Sequence, residues 1–148
     1  MSNDYVLSDI SLEGYQIVRT AYFEKYVEPV MTLFNTSIGF GMGCYTALGN
    51  CEFIQLMLND SNHTILIKPI NSKENEALSW RRSAQNVKYH KMDCAMFSRK
   101  LFERWGLNPK CHYRAIGSLV QCDKKLMLLF DFSDCRVYHG LKVLNEKK

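Results

Sequence analysis

The stretch HYRAIGSLVQCDKKLMLLFDFSD, residues 112–134, constrains this chain more than any other. Two apolar-rich runs flank Cys122-Asp123-Lys124-Lys125. Strand-forming runs separated by so short a polar break pair as a β-hairpin. At 148 residues the whole chain is expected to form one domain, 1–148, with roughly two-thirds of its unfolded surface buried.

Upstream, residues 1–14 read as a loose, polar and acidic lead-in, unlike a secretory signal. In 15–26, Tyr15, Val18, Tyr22 and Tyr26 recur at helical spacing and predict a short helix. Strands are expected at 27–34 and 38–41, around a turn at Asn35-Thr36-Ser37. A short helix at 42–49 stops at Gly49-Asn50. Strands at 51–58 and 64–68 follow, the second ended by Pro69. Residues 70–84 lack periodicity and read as a connector between two halves. A strand at 86–91 precedes a helix at 94–105, with Asp93 as its N-cap and Gly106 as its stop. The hairpin then supplies strands at 112–121 and 126–132.

The two halves have the same order: strand, helix, strand, turn, strand. The sequence therefore predicts an α+β fold of two pseudo-repeated units, about 27–69 and 85–138, packed as one domain.

On the second helix, Cys94, Phe97, Leu101, Phe102 and Trp105 fall in one arc at about 100° per residue, and that arc is core. Arg99, Lys100, Glu103 and Arg104 fall opposite. Charge is focused in the same region. Residues 1–80 carry four basic and nine acidic side chains, a balance of −5, whereas 81–125 carry eleven and three, a balance of +8. Residues 126–148 add +1, giving the net +4. Arg81, Arg82, Lys88, Lys91, Arg99, Lys100, Arg104, Lys110 and Arg114 are the candidate nucleic-acid contacts. Such cations suffice for phosphate binding, and no base-reading motif accompanies them.

Catalytic patterns are weak. GFGMGC, 39–44, lacks the lysine and the spacing of a phosphate loop, so its glycines serve a tight strand-to-helix turn. Cys111-His112 and Tyr138-His139 are chance neighbours in a chain with six Cys and four His. Asp131 and Asp134 in FDFSD suit turn capping better than metal binding. No C-x-x-C pair marks a zinc site, so reduced, mostly buried thiols are expected. No apolar run approaches the roughly 20 residues of a membrane span, which makes a cytosolic location the default. No cofactor, no metal and no catalytic set is implied.

The segments YQIVRTAYFEKYVEPVMTLFNTSIGFGMGCYTAL, CEFIQLMLNDSNHTILIKP and FERWGLNPKCHYRAIGSLVQCDKKLMLLFDFSDCRVY carry a resemblance. Across most of 15–138 the chain resembles short proteins of bacterial integrative and conjugative elements and prophages, often labelled "integrase". The most specific part is Trp105 to Pro109, then Tyr113-Arg114, Ile116-Gly117, Leu119-Val120 and Leu128 to Asp131. The label does not fit the chemistry. A tyrosine recombinase needs an H-x-x-R element, which is missing, and Tyr138 is the one tempting nucleophile. A DDE-type integrase needs three spaced carboxylates, and 81–125 holds only Asp93, Glu103 and Asp123.

The 38–69 segment is also similar in layout to AbrB/MraZ-type swapped-hairpin transcription factors. Because 38–58 contains no basic residue, that likeness implies DNA contact through the second unit. The sequence thus points to a non-enzymatic, DNA-associated accessory or regulatory protein of a mobile element, gripping duplex phosphates. The alternative is an inhibitor of a host defence protein, of the anti-CRISPR type, with Asp4, Asp9, Glu13, Glu24 and Glu28 as an acidic face. A homodimer is compatible with either, and neither involves a membrane.

Overall fold

A computed structural model describes residues 9–18, 27–80, 89–140 and 142–144, with 89 and 90 by backbone alone. Its elements run β1 (Val30–Leu33), β2 (Ser37–Gly41), α1 (Met42–Ala47), β3 (Phe53–Asn59), β4 (Thr64–Ile70), β5 (Leu78–Ser79) and β6 (Tyr89–Asp93). Then come α2 (Ala95–Trp105), β7 (His112–Ile116), β8 (Ser118–Cys122), β9 (Lys125–Asp131), a 3-10 turn (Phe132–Asp134), β10 (Arg136–His139) and β11 (Lys142–Val143). The class is α+β. A six-stranded sheet has the order β11-β10-β7-β1-β2-β6, and a five-stranded sheet has the order β5-β3-β4-β9-β8. All strand pairs are antiparallel.

Period-two alternation decides what each sheet buries. Met31, Leu33, Ile38 and Phe40 point inward from the larger sheet, and Ile54, Ile65, Ile67, Leu128 and Phe130 from the smaller. The two sets form one core, joined by Leu101, Phe102 and Trp105 of α2. Gly106 ends α2 in the left-handed conformation, at φ 66°, and Leu107 N–H donates to the Phe102 carbonyl at 2.8 Å. The hairpin turns at Asp123 and Lys124, both at positive φ (50° and 65°), as a two-residue connection requires.

Four expectations are corrected. Asp93 does not cap α2: it pairs with Ser37 as the last residue of β6, and the cap is Cys94, whose side chain caps no backbone N–H. The helix expected at 15–26 is absent from its described part, 15–18, where Ile17 is 98% exposed and no apolar face is buried; 19–26 lie outside the described residues. Strand β4 runs through Pro69 because its ladder with β9 ends at Ile67, leaving that side of the strand without a neighbour that needs the missing N–H.

The fourth correction is the strand expected at 112–121, which is two strands. Its first half, β7, pairs in the larger sheet and its second, β8, in the smaller. The chain crosses at Gly117, whose N–H donates to the Pro29 carbonyl at 2.7 Å. A Cβ there would stand 2.7 Å from Cε1 of Phe130, so only glycine lets the crossing pass over the core ring. Corners at which a strand changes sheets need such bends.

Candidate functional site

The outward face of the six-stranded sheet collects the polar chemistry. Registers align Arg136 with Arg114, Arg114 with Thr32, Thr32 with Gly39 and Gly39 with Lys91. One row thus crosses five strands, about 19 Å at the usual ~4.8 Å spacing. Its side chains point away from the core because Tyr113 and Ala115, the neighbours of Arg114, point into it.

The next outward row is aromatic. His112 lies parallel to Tyr138, its cross-strand partner, with ring centroids 5.0 Å apart. On the β1 side, Phe34 is 5.0 Å from His112 at a 30° tilt. The Lys91 ammonium stands 4.3 Å from the centroid of Phe34, a cation–π contact that anchors it at the end of the ring row. Partial burial, with the Lys91 ammonium second, pushes His112 below the usual imidazole value, so the ring is neutral at pH 7.

Between the two rows runs a groove of about 530 Å³, mainly apolar, with Val30, Thr32, Phe34, His112, Arg114 and Tyr138 among its lining. Residues 27–28 form its far wall. They reach it because α1 has glycine at 43: a Cβ there would lie 2.4 Å from the carbonyl oxygens of both Val27 and Glu28. A second depression, about 540 Å³, adjoins it and holds Arg114 and Arg136 with Glu28, Asp131 and Asp134. Asp131 is engaged in the turn it was expected to cap, accepting from Ser133 N–H at 3.0 Å and Ser133 Oγ at 2.6 Å. Among the described residues the one ion pair joins Arg104 to Asp60, so neither sheet arginine is in ion-pair contact with the carboxylates beside it.

The structure divides the candidate contacts read from the sequence. Lys91 and Arg114 share the outward sheet face. Arg99 and Lys100 are exposed on α2, which packs against the opposite side of that sheet through Phe102 and Tyr113. Arg104 is exposed on the same helix but tied to Asp60, and Lys110 sits in the turn after it. A convergence of all these cations on one surface is therefore not observed: the α2 stripe Leu101, Phe102 and Trp105 turns inward and its cations project away from the sheet face. Arg81, Arg82 and Lys88 lie outside the described residues. Sequence reading passed over Arg136 and Phe34, set His112 aside as a chance neighbour of Cys111, and weighed Tyr138 only beside His139 and as a nucleophile. The alternation Arg136-Val137-Tyr138 was the available signal for a further strand.

None of the six cysteines is joined in a disulfide. Cys44 is fully buried, its Sγ donates to the Val30 carbonyl at 3.2 Å, and burial pushes its thiol up to about 12. Burial likewise lifts Cys135 to about 11, whereas Cys122 is exposed in the hairpin. Thiolate is the reactive form. Cys122 is therefore expected to react first with an aromatic disulfide reagent at pH 8, and Cys44 only on unfolding. Mass mapping of the label checks this; native Cys44 labelling as fast as Cys122 would contradict the packing.

Among the described residues no group of three or more His, Cys, Asp or Glu side chains is placed to hold a metal ion, and no helix is long and apolar enough to cross a membrane. Comparison with known protein families, with curated proteins and with solved structures finds no match to this chain.

Proposed function

We propose that this chain is a non-enzymatic, DNA-associated accessory protein of the mobile-element type its sequence resembles, holding the nucleic-acid backbone on the outward face of the six-stranded sheet. The observation that carries this reading is Arg114 directly opposite Arg136, neither in an ion pair among the described residues, although Glu28, Asp131 and Asp134 line the same depression. Like charges facing each other across an antiparallel pair cost stability, a cost that an anion lying on both guanidinium groups offsets. Lys91 extends the same row. Arg99, Lys100 and Lys110 form a separate patch, and Arg104 adds little because its exposed pair with Asp60 is already made.

The same reading takes the chain as two pseudo-repeated units with an AbrB/MraZ-like layout. Element order supports it: strand, helix and hairpin recur in β2-α1-β3-β4 and β6-α2-β8-β9, and β2 pairs with β6 as β4 pairs with β9. Strands β1, β5, β7, β10 and β11 are additions that such a layout lacks.

Three sheet cations on three phosphates predict a log–log salt slope of about −2.7 on duplex DNA. Anisotropy titrations between 50 and 200 mM salt would measure it. Binding that is undetectable at the lower salt, or indifferent to salt, would overturn the reading.

A second reading, inhibition of a host defence protein, has one observation in its favour. Glu28, Asp131 and Asp134 border the two arginines, and such mixed charge suits a protein surface. Capture of a host protein after nuclease treatment, with no affinity for DNA, would select it.

A further inference from the structure

Open antiparallel sheets leave edges, and folded chains guard them by shortness, charge, proline or a bulge. The two sheets end on β11 and β6 and on β5 and β8. Strands β5 and β11 have two residues each, too few to template a partner. Strand β6 carries Lys91 and Asp93. Strand β8, Ser118-Leu119-Val120-Gln121-Cys122, has none of these guards. It is five residues long, uncharged and free of proline, and its register with β9 runs unbroken from Ser118 to Cys122. Its residues are exposed except for half-buried Val120, and Leu119 is 50% exposed. Among the described residues no strand pairs with its outer side.

The hairpin fixes which backbone groups that side presents. A two-residue turn with positive φ at Asp123 and Lys124 closes on a hydrogen-bonded pair, Cys122 with Lys125. Bonded and non-bonded pairs alternate along an antiparallel ladder. Val120 and Ser118 therefore also bond to β9, and the N–H and C=O groups of Leu119 and Gln121 point to the open side. Those groups sit symmetrically about Val120. An identical strand running antiparallel satisfies all of them, because Leu119 of each copy exchanges both bonds with Gln121 of the other. On the axis, Val120 faces Val120 of the second copy, an apolar β-branched pair at the close spacing of a non-bonded position. A two-fold contact sets a strand against its own image, and 118–122 hold no charge to repel itself there.

We propose that a second copy of this chain docks on β8 by antiparallel strand addition centred on Val120, joining the two five-stranded sheets edge to edge. The contact consumes the same edge in both copies, so assembly closes at a dimer. It is independent of the nucleic-acid reading. One short ladder is smaller than the stable interfaces of roughly 1,200 Å² or more, so the dimer is expected to be weak and to accumulate with concentration.

The test is sedimentation of the full chain. The mass is expected to rise from one chain to two as concentration increases, and to stop there. Gln121→Pro removes a donor that only the second copy uses, at an edge position where proline is tolerated. Symmetry deletes two hydrogen bonds at once, so the dimer dissociation constant is expected to rise about tenfold or more. Val120→Lys sets like charges on the axis, is expected to act in the same direction, and decides the matter where circular dichroism shows Gln121→Pro misfolded. Val120→Cys with Cys122→Ser is expected to form a covalent dimer under a mild oxidant, because facing residues at such a position stand ~4.5 Å apart, within disulfide reach. Cys122 of the unaltered chain lies opposite Ser118 in this register and is expected not to cross-link. A chain that stays monomeric at every concentration overturns the proposal. So does a dimer indifferent to both Gln121→Pro and Val120→Lys. Growth beyond two chains overturns the closure, and a dimer locked by Cys122 but not by Val120→Cys overturns the register.

Discussion

Trp80→Ala is expected to lower the stability of this protein by about 3–5 kcal/mol. The indole is fully buried, packed edge-on against Phe40 with centroids 5.1 Å apart and tilted on Tyr45 at 4.3 Å. Its Nε1 donates to the Cys51 carbonyl at 2.8 Å, while the Trp80 carbonyl accepts from the Tyr45 hydroxyl at 3.2 Å. Truncation thus opens a large cavity and strips the Cys51 carbonyl of the indole donor. Folded domains have a net stability of roughly 5–15 kcal/mol, so about a fifth or more of it rests on this side chain. Trp80→Phe keeps ring packing and loses mainly the hydrogen bond, for which about 1–3 kcal/mol is expected. Urea unfolding midpoints, compared at equal slope, separate the two variants. A loss below about 1 kcal/mol for the alanine would show that the indole does not fill the core as described.

Gly43→Ala is the second large effect, from a single methyl group. The two carbonyl oxygens it would meet at 2.4 Å belong to backbone, so no rotamer change relieves the clash. Reaching ordinary contact needs ~1 Å of separation between α1 and residues 27–28. Overpacking of this kind costs about 1–3 kcal/mol, and a backbone clash belongs at the upper end. At this chain length that corresponds to a melting temperature lower by ~5–10 °C, read by thermal circular dichroism. Because residues 27–28 also wall the groove, ligand affinity should fall in the fraction that remains folded. An unchanged melting temperature would mean that α1 and the segment above it do not touch.

These two residues mark what was legible in the sequence. The hairpin was readable because two-residue turns with flanking apolar runs are local signals, and so was the inward stripe of α2. Trp80 was not, because the strand before it has only two residues and leaves no periodicity, and the indole packs against rings 35 and 40 residues away in the chain. The division of cations followed the same logic. Charge counts identified the basic segment, but the side of the sheet on which each cation emerges depends on strand register, which comes from pairings between distant segments. Arg136 joined the site only because β10 returns beside β7, placing it opposite Arg114. The break at Gly117 was invisible for another reason. A glycine inside a strand pattern signals a bend without saying where the far half goes.

That bend has a consequence for how the molecule comes apart. Ile116 pairs with Val30 in one sheet and Ser118 with Leu129 in the other, so a single stretch of backbone is stitched into both layers two residues apart. Peeling either layer away pulls on the ladder of its counterpart within one peptide of the crossing. The two layers are therefore expected to come apart together rather than as separate modules.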